Sequence, residues 1–246
     1  MSEHSTVVQA IRAQTLMELR LALRRGESVL LTLVVPPVLL AFLGSVESFS
    51  SVTERSLDAL VPGVVTLAVI SSAMVSLGIA TAFERYYGVL KRLGSTPLPR
   101  SGLIAAKIGS VLMIELVQVA IIAAIASSLL QWTPPASWWA GIPALILGTC
   151  CFASLGLLMA GTLRAETTLA LANGLYLLFL LAGGLVVSIE LLPAWLRPVA
   201  LWLPAYALDD VLKAALVRGA IGESLPVLVC WSALFLAATI RFFRWD

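Results

Sequence analysis

Glu115 is the residue of this chain most suited to chemistry, because it is the single acidic residue deep within a long apolar stretch. Gln118 follows about one helical turn later, which places its amide on the same face of a helix. A charge at mid-bilayer costs from about 2.5 to more than 10 kcal/mol, so Glu115 should face a protein interior or an aqueous path. Three roles stay open: a place in a translocation path, a structural hydrogen bond, or proton coupling. Asn173 supports the same argument more weakly.

Other reactive residue types do not combine into a site. Cys150 and Cys151 are adjacent, Cys230 is distant, and His4 is the only histidine. Adjacent cysteines are poorly placed for a disulfide, and a zinc site needs about four ligands of such types. The sequence also lacks the GxxxxGK[ST] motif that cradles phosphates. We therefore expect no catalytic residue, metal or cofactor in this chain, and the cysteines are interpreted as small buried apolar side chains. A net charge of +2 does not favour nucleic acid.

Long apolar segments must position these residues, and they fill most of the chain. Apolar residues make up 60% and charged residues 12%, outside the usual balance of soluble domains. Crossing a hydrocarbon core takes roughly 20 helical residues. Six stretches approach this length, at about residues 28–45, 60–82, 103–130, 138–162, 168–188 and 224–240. The sequence therefore predicts an all-α membrane protein with six transmembrane helices, in which residues 1–246 form one transmembrane domain.

The basic residues indicate how such a bundle is oriented. Of the 16 lysine and arginine residues, all but Arg55, Arg197, Lys213 and Arg218 lie on the side that would hold both termini. Because basic residues favour the cytoplasmic side of a membrane, both termini are expected to be cytoplasmic.

Two amphipathic segments accompany the predicted spans. Residues 6–26 carry Leu16, Leu19 and Leu23 at helical spacing with arginines beside them, which predicts an interfacial helix along the membrane surface. Residues 189–217 are amphipathic, broken by prolines, and contain tryptophans that suit an interface. This segment predicts an extracellular re-entrant helical hairpin, with an interfacial packing hairpin as the alternative.

The link between the second and third stretches contains more specific residues than a turn requires. Its sequence from residue 83 to residue 100 is FERYYGVLKRLGSTPLPR. Residues 84–95 predict a short cytoplasmic helix that a glycine and two prolines end. Glu84 and Arg85 should face water, whereas Leu90 and Leu93 should face a surface such as a groove on a partner. A solvated basic loop is the alternative.

At this link the chain resembles the membrane-permease family of the ABC type-2 exporters, which includes daunorubicin-resistance-type and polysaccharide-exporting permeases. In that family the link carries an acidic residue, a glycine and a leucine-rich turn ending in Thr-Pro-Leu, before a lysine near the start of span three. The matching residues here are Glu84, Gly88, Leu93, Thr96, Pro97, Leu98 and Lys107. A second match contains Gly183-Gly184, Leu192-Pro193-Ala194-Trp195-Leu196 and Leu203-Pro204-Ala205-Tyr206. Tyr86 and Tyr87 depart from the pattern, because more polar residues usually follow the acid.

The resemblance implies a non-catalytic permease subunit of an exporter in a bacterial cytoplasmic membrane. Its substrate would be an amphipathic or hydrophobic molecule, such as a drug, an antibiotic or a lipid-like compound. A separate cytoplasmic ATP-binding-cassette ATPase would bind ATP and Mg²⁺, and a second permease, identical or related, would complete the transporter among membrane lipids.

The same resemblance assigns roles to particular residues. The residues expected to couple to the ATPase are Glu84, Arg85, Gly88, Leu90, Leu93 and Pro97. The candidates for the translocation path come instead from the argument on buried polar residues above, and they are Glu115, Gln118 and Asn173. The expected outer gate comprises Pro193, Trp195, Pro204 and Tyr206.

Two other classes of protein remain open at this stage. A self-sufficient secondary carrier or channel would use Glu115, work without ATP and fail when Glu115 is replaced by Gln. A non-transport membrane protein, such as an enzyme or an assembly factor, is the second class. An intramembrane enzyme would need a cluster of polar residues at one depth, which this sequence does not supply.

Overall fold

The computed structural model describes residues 3–24, 26–45, 57–95, 99–133, 138–185, 189 and 192–244. Helices are the only regular elements within these ranges, which confirms the predicted all-α class. In chain order they are α1 (Glu3–Arg24), α2 (Gly26–Ser45), α3 (Leu57–Tyr86), α4 (Val89–Leu93), α5 (Arg100–Ser128), α6 (Trp138–Thr162), α7 (Ala165–Ala182), α8 (Arg197–Leu201), α9 (Pro204–Lys213) and α10 (Leu225–Phe242).

Five helices in the described ranges are long and apolar enough to cross a membrane. They are α3, α5, α6, α7 and α10, which correspond to the second through sixth predicted spans. The first predicted span, residues 28–45, falls in α2, where Thr32–Ser45 counts as a shorter apolar helix. Length and composition thus support five spans, and the sixth stays a prediction.

Helix α3 is the central element of the bundle. Most of its apolar window is buried, whereas only a small share of the corresponding windows of α7 and α10 is buried. It contacts α2, α5, α6, α7 and α9. In a bilayer the exposed faces of α7 and α10 must therefore meet lipid or another protein subunit.

Small residues let α3 and α6 cross closely. A Cβ added to Gly156 would lie 2.7 Å from the carbonyl oxygen of Met74, and one added to Gly78 would lie 3.1 Å from the Cα of Gly156. Such contacts between small residues are typical of membrane helices. The middle of α3, Ile70–Ser76, is π-helical at this crossing, and π turns often accompany functional sites.

The predicted coupling helix of residues 84–95 is divided in the structure. Helix α3 continues to Tyr86, and α4 begins only at Val89. Gly88 separates them with a φ of 73°, a left-handed conformation that glycine adopts without the steric cost of a side chain. Thr96, Pro97 and Leu98 of the expected motif lie outside the described residues.

The predicted hairpin of residues 189–217 contains α8 and α9 in its described part, and a π-helical segment, Ala214–Arg218, continues α9. Pro204 at the first position of α9 suits a helix start, because its missing N–H has no helical partner there. Helix α9 contacts α3, α6 and α10, so it is packed into the bundle. A re-entrant path through the membrane stays a prediction.

Candidate functional site: a buried ion-pair cluster and a polar core

Lys107 is held between two carboxylates inside the bundle. Its Nζ donates to Glu18 Oε2 at 2.9 Å and to Glu84 Oε2 at 2.7 Å, and its side chain is 1% exposed. These residues, the Lys107 cluster, come from α1, α3 and α5. Removing one partner of a buried ion pair costs about 3–5 kcal/mol, because a charge is left uncompensated. The cluster therefore joins three helices at the end of α3 that leads into the link.

Glu18 is the member of this cluster that the sequence reasoning missed. The amphipathic pattern drew attention to the leucines of α1, yet Leu16 and Leu23 are 51% and 52% exposed while Glu18 is buried. Lipid tails are as apolar as leucine, so in a membrane protein an apolar stripe does not identify the packed face. The available signal was the spacing of Gln14 and Glu18, which share one face and are joined by a 2.8 Å hydrogen bond from Gln14.

Several residues expected to meet a partner instead make contacts within the chain. Arg85 Nη2 donates to the carbonyl oxygen of Leu163 at 2.6 Å, just beyond the end of α6. Leu90 is fully buried and Leu93 is half-buried. The expectation that Glu84 and Arg85 face water, with Leu90 turned toward a partner, is corrected accordingly, because the fold of this chain already satisfies these side chains.

Other residues of the link form its exposed surface. Tyr86 and Tyr87 are 66% and 69% exposed, their rings meet edge to face, and Val89 is also exposed. Lys91 and Arg92 are exposed on α4. We refer to these five residues as the docking surface, since aromatic residues and arginine are enriched in protein interfaces. The sequence reasoning had treated the two tyrosines only as departures from a family pattern.

Glu115 lies where α3, α5 and α6 meet. It accepts a hydrogen bond from Ser72 Oγ at 2.6 Å and a second from Thr149 Oγ1, and its side chain is buried. Gln118 is also buried, and its Nε2 donates to the carbonyl oxygen of Thr32 in α2 at 2.5 Å. We call these five residues the polar core. Glu115 and Gln118 thus share the bundle interior, and their place in a translocation path stays a prediction.

Asn173 does not join the polar core. It is exposed on the outer face of α7, and its Nδ2 donates to the carbonyl oxygen of Leu169 in the same helix at 2.9 Å. Its amide is satisfied locally, so the three path candidates do not form one group in this chain.

A cavity of about 560 Å³ lies beside both polar sites. Its walls include all three residues of the Lys107 cluster, together with Thr32 and Ser72 of the polar core. The apolar part of its lining includes Leu21, Val75, Ile79, Phe83, Val111 and Ile114. Polar groups placed among apolar walls suit an amphipathic molecule.

The predicted gate residues fall into two environments. Pro193 and Trp195 are exposed, Pro204 is buried at the start of α9, and Tyr206 is half-buried. Burial, followed by the nearby charge of Asp210, raises the pKa of Tyr206. This phenol therefore stays neutral at physiological pH, and no described contact joins the four residues into one gate.

Potential metal ligands are dispersed in the described ranges, where no group of three or more His, Cys, Asp or Glu side chains could hold an ion. Cys151 is buried and Cys150 half-buried, as expected for packing residues. Cys230 differs from that expectation, because it is exposed on α10, whose outer face no described element covers.

Comparison with known proteins provides matches over most of the chain. A family model described as ABC-2 type transporter matches residues 9–216. The chain is also similar to "Putative transport permease YvfS" of Bacillus subtilis (strain 168), with 26% identity over 239 residues, which cover 93% of this chain and 95% of that protein. The range matched by the family model includes the Lys107 cluster, the docking surface and the polar core.

Proposed function

Because the chain belongs to the ABC-2 type transporter family, we propose that it is the membrane permease subunit of an ATP-binding-cassette exporter. At the coarser level it is an integral membrane protein and a transport permease, of a family that implies an ATPase partner in general. In the proposal a separate cytoplasmic subunit binds ATP and Mg²⁺. Six spans, with α2 as the first, leave both termini in the cytoplasm of a bacterial cell.

The Lys107 cluster is the observation that carries this proposal. The link continues directly from α3, and the cluster ties α3 to α1 and α5 through two short ion pairs. Arg85 adds a contact to the end of α6. A displacement applied at the link is therefore transmitted to four helices together.

The docking surface is where we place the ATPase. It combines two exposed tyrosines with two basic side chains, which suits a groove with an apolar floor and an acidic rim. Docking must differ between the nucleotide states of the ATPase, because a partner that binds equally in both states shifts no equilibrium.

The 560 Å³ cavity is the proposed entry site for substrate. Its apolar walls and its ionic and hydroxyl groups suit an amphipathic drug, antibiotic or lipid-like molecule. We propose that export proceeds from this cavity past the polar core toward the α8–α9 segment.

The proposed transporter contains a second permease, identical or related, against the exposed face of α7. The exposed apolar residues of this face are Leu169, Leu171, Leu177, Leu178 and Leu181. Asn173 on the same face would then meet protein instead of lipid, where a polar side chain costs less.

The proposal is tested by tagging the chain at its C-terminus, extracting it gently from native membranes and identifying what co-purifies. We expect a stoichiometric ATP-binding-cassette subunit and ATP hydrolysis by the complex. A partner-free protein that is indifferent to ATP would contradict the proposal and favour the carrier that uses Glu115.

A matched pair of double variants tests the docking surface. Tyr86→Ala/Tyr87→Ala is expected to lose the ATPase while folding normally, because both rings are exposed. Trp138→Ala/Trp139→Ala removes two adjacent exposed rings at the start of α6 and is expected to keep it. Equal retention in both variants would remove the docking assignment. Leu93→Asp is less discriminating, since Leu93 is half-buried within the chain.

A further inference from the structure

A second cavity, of about 610 Å³, lies where the start of α5 meets the ends of α6 and α10. Its lining residues are Arg100, Thr162, Arg241, Phe242, Phe243 and Arg244, and we call it the arginine pocket. Its three arginines are exposed, and no acidic residue is among its described lining residues. The proposed coupling and transport roles use none of these residues.

The arginine pocket is built from fixed elements. Phe243 is buried against Gly161, where an added Cβ would lie 2.5 Å from the phenyl ring. Thr239 Oγ1 donates to the carbonyl oxygen of Ser154 at 2.7 Å, which joins α10 to α6. Arg100 Nη1 lies 3.5 Å from the carbonyl oxygen of Phe243. A preformed pocket binds more tightly because little ordering cost remains.

No ion pair with a described residue compensates the charge in this pocket. Arg100, Arg241 and Arg244 form no ion pair with any described residue, in contrast to Lys107. The positive end of the α5 dipole and the negative ends of the α6 and α10 dipoles meet at this place, so the net positive charge of the pocket comes from the three arginines. Guanidinium groups bind phosphate through two parallel hydrogen bonds, so the pocket favours a phosphate-bearing anion.

The surroundings of the pocket indicate where that phosphate comes from. Ile240 and Phe242 are exposed on α10 next to Arg241, so apolar surface continues from the pocket along the membrane-facing side of the helix. Basic residues at the ends of spans lie at headgroup depth, and basic pockets between spans bind anionic headgroups. We propose that the arginine pocket binds the phosphate group of an anionic phospholipid, whose acyl chains lie along α10. This proposal requires that the pocket end of the bundle lies at the depth of the lipid headgroups. It does not depend on the ATPase.

The test uses the full chain in mild detergent, together with its partner if one co-purifies. Native mass spectrometry compares the binding of phosphatidylglycerol with that of phosphatidylcholine, whose headgroup has no net charge. The pocket variant carries Arg100→Gln, Arg241→Gln and Arg244→Gln. It should bind phosphatidylglycerol about 100-fold more weakly, since each of the three basic residues contributes about fivefold near an anionic headgroup. Binding of phosphatidylcholine should not change.

A control variant removes the same charge from exposed positions of α1, through Arg12→Gln, Arg20→Gln and Arg24→Gln. It should keep the preference for phosphatidylglycerol. If both variants lose the preference for phosphatidylglycerol equally, general surface charge is its cause, and the proposal is overturned. Competition by inorganic phosphate at the concentration of the lipid would assign the pocket to a free anion and would also overturn it.

Two further outcomes separate the lipid from a protein contact and from simple helix capping. Loss of a co-purifying ATPase with unchanged lipid preference would assign the pocket to the partner and overturn the proposal. Lower thermal stability with unchanged preference would do the same, because basic residues near a helix C-terminus stabilise its dipole. If the triple variant fails to fold, Arg244→Gln alone, beyond the end of α10, should still weaken phosphatidylglycerol binding.

Discussion

The Lys107 cluster and the polar core both bury acidic side chains in this bundle, and they compensate them in opposite ways. In the Lys107 cluster two acids meet one ammonium group at 2.7 and 2.9 Å. In the polar core Glu115 meets the hydroxyl groups of Ser72 and Thr149. An ammonium group offers full charge and only donors, whereas a hydroxyl group rotates and can both donate and accept.

This difference suits the two sites to different roles. The Lys107 cluster connects helices rigidly, whereas the polar core is an adaptable site. The Lys107 cluster cannot lose a member without leaving a buried charge, so it suits the transmission of movement. The polar core can exchange one hydrogen bond for another without separating an ion pair, and Ser72 connects it to the cavity. It therefore suits contact with a passing substrate.

Lys107→Met should have the largest effect on stability. Two buried carboxylates lose their common cation, so the free energy of unfolding should fall by about 3–5 kcal/mol. Thermal unfolding in detergent measures it. Arg218→Met is the control, because Arg218 is 57% exposed and lies 3.7 Å from Asp210, and such a pair should contribute less than about 1 kcal/mol. Equal, small changes in the free energy of unfolding of the two variants would show that the Lys107 cluster does not hold the three helices together.

Gly156→Val should have the next largest effect, since it acts on the crossing that brings Ser72 and Thr149 to Glu115. An added Cβ would lie 2.7 Å from the Met74 carbonyl oxygen, and overpacking of this kind costs about 1–3 kcal/mol. Gly174→Val is the matched control, because its Cβ would meet open space on α7. If the two valine variants unfold at the same temperature, the close α3–α6 crossing is not what holds the polar core.

Glu115→Gln should change the free energy of unfolding by only about 1 kcal/mol, because an amide can still pair with the two hydroxyl groups. Transport by reconstituted complexes should change more than expression does. Glu166→Gln removes an exposed carboxyl group at the start of α7 and serves as the control. Unchanged transport with poorer folding would instead assign Glu115 a purely structural role.

A neutral replacement of the whole Lys107 cluster separates the effect of its ion pairs on stability from their effect on coupling, and it should change the free energy of unfolding least. The triple variant Glu18→Gln/Glu84→Gln/Lys107→Met leaves no unpaired buried charge, so it should recover most of the stability lost in Lys107→Met. Coupling should not recover, because the ion pairs that join the three helices are gone. Substrate-stimulated ATP hydrolysis in the reconstituted complex is the readout. Normal stimulation would show that the ion pairs are dispensable for coupling.

The membrane class of the protein could be predicted from the sequence because it follows from local quantities. Bilayer thickness sets the length of a span, so the predicted second through sixth stretches correspond to α3, α5, α6, α7 and α10. The family could be recognised from the link and the outer segment, whose motifs are continuous in sequence. The match of the ABC-2 type transporter family to residues 9–216 confirms that recognition.

The details of the site could be predicted only in part. Glu84 and Lys107 were noted as members of one motif, but nothing in their spacing showed that they pair or that Glu18 completes the cluster. Leu90 was expected to face a partner, yet Gly88 breaks the helix and α4 turns Leu90 into the core. A single backbone conformation can reverse which side chains of a short segment are exposed.

The membrane-embedded helices and the location of the link could be read from the sequence alone, because hydrophobic length, helix-breaking residues and local motifs act on neighbouring residues. Which side chains meet became visible only in the folded chain: Glu18 with Lys107, Ser72 and Thr149 with Glu115, and three arginines around one pocket. These residues are far apart in sequence, and in a lipid environment apolar periodicity does not distinguish a face packed on protein from one exposed to lipid. Only the packing of the helices brings such groups together.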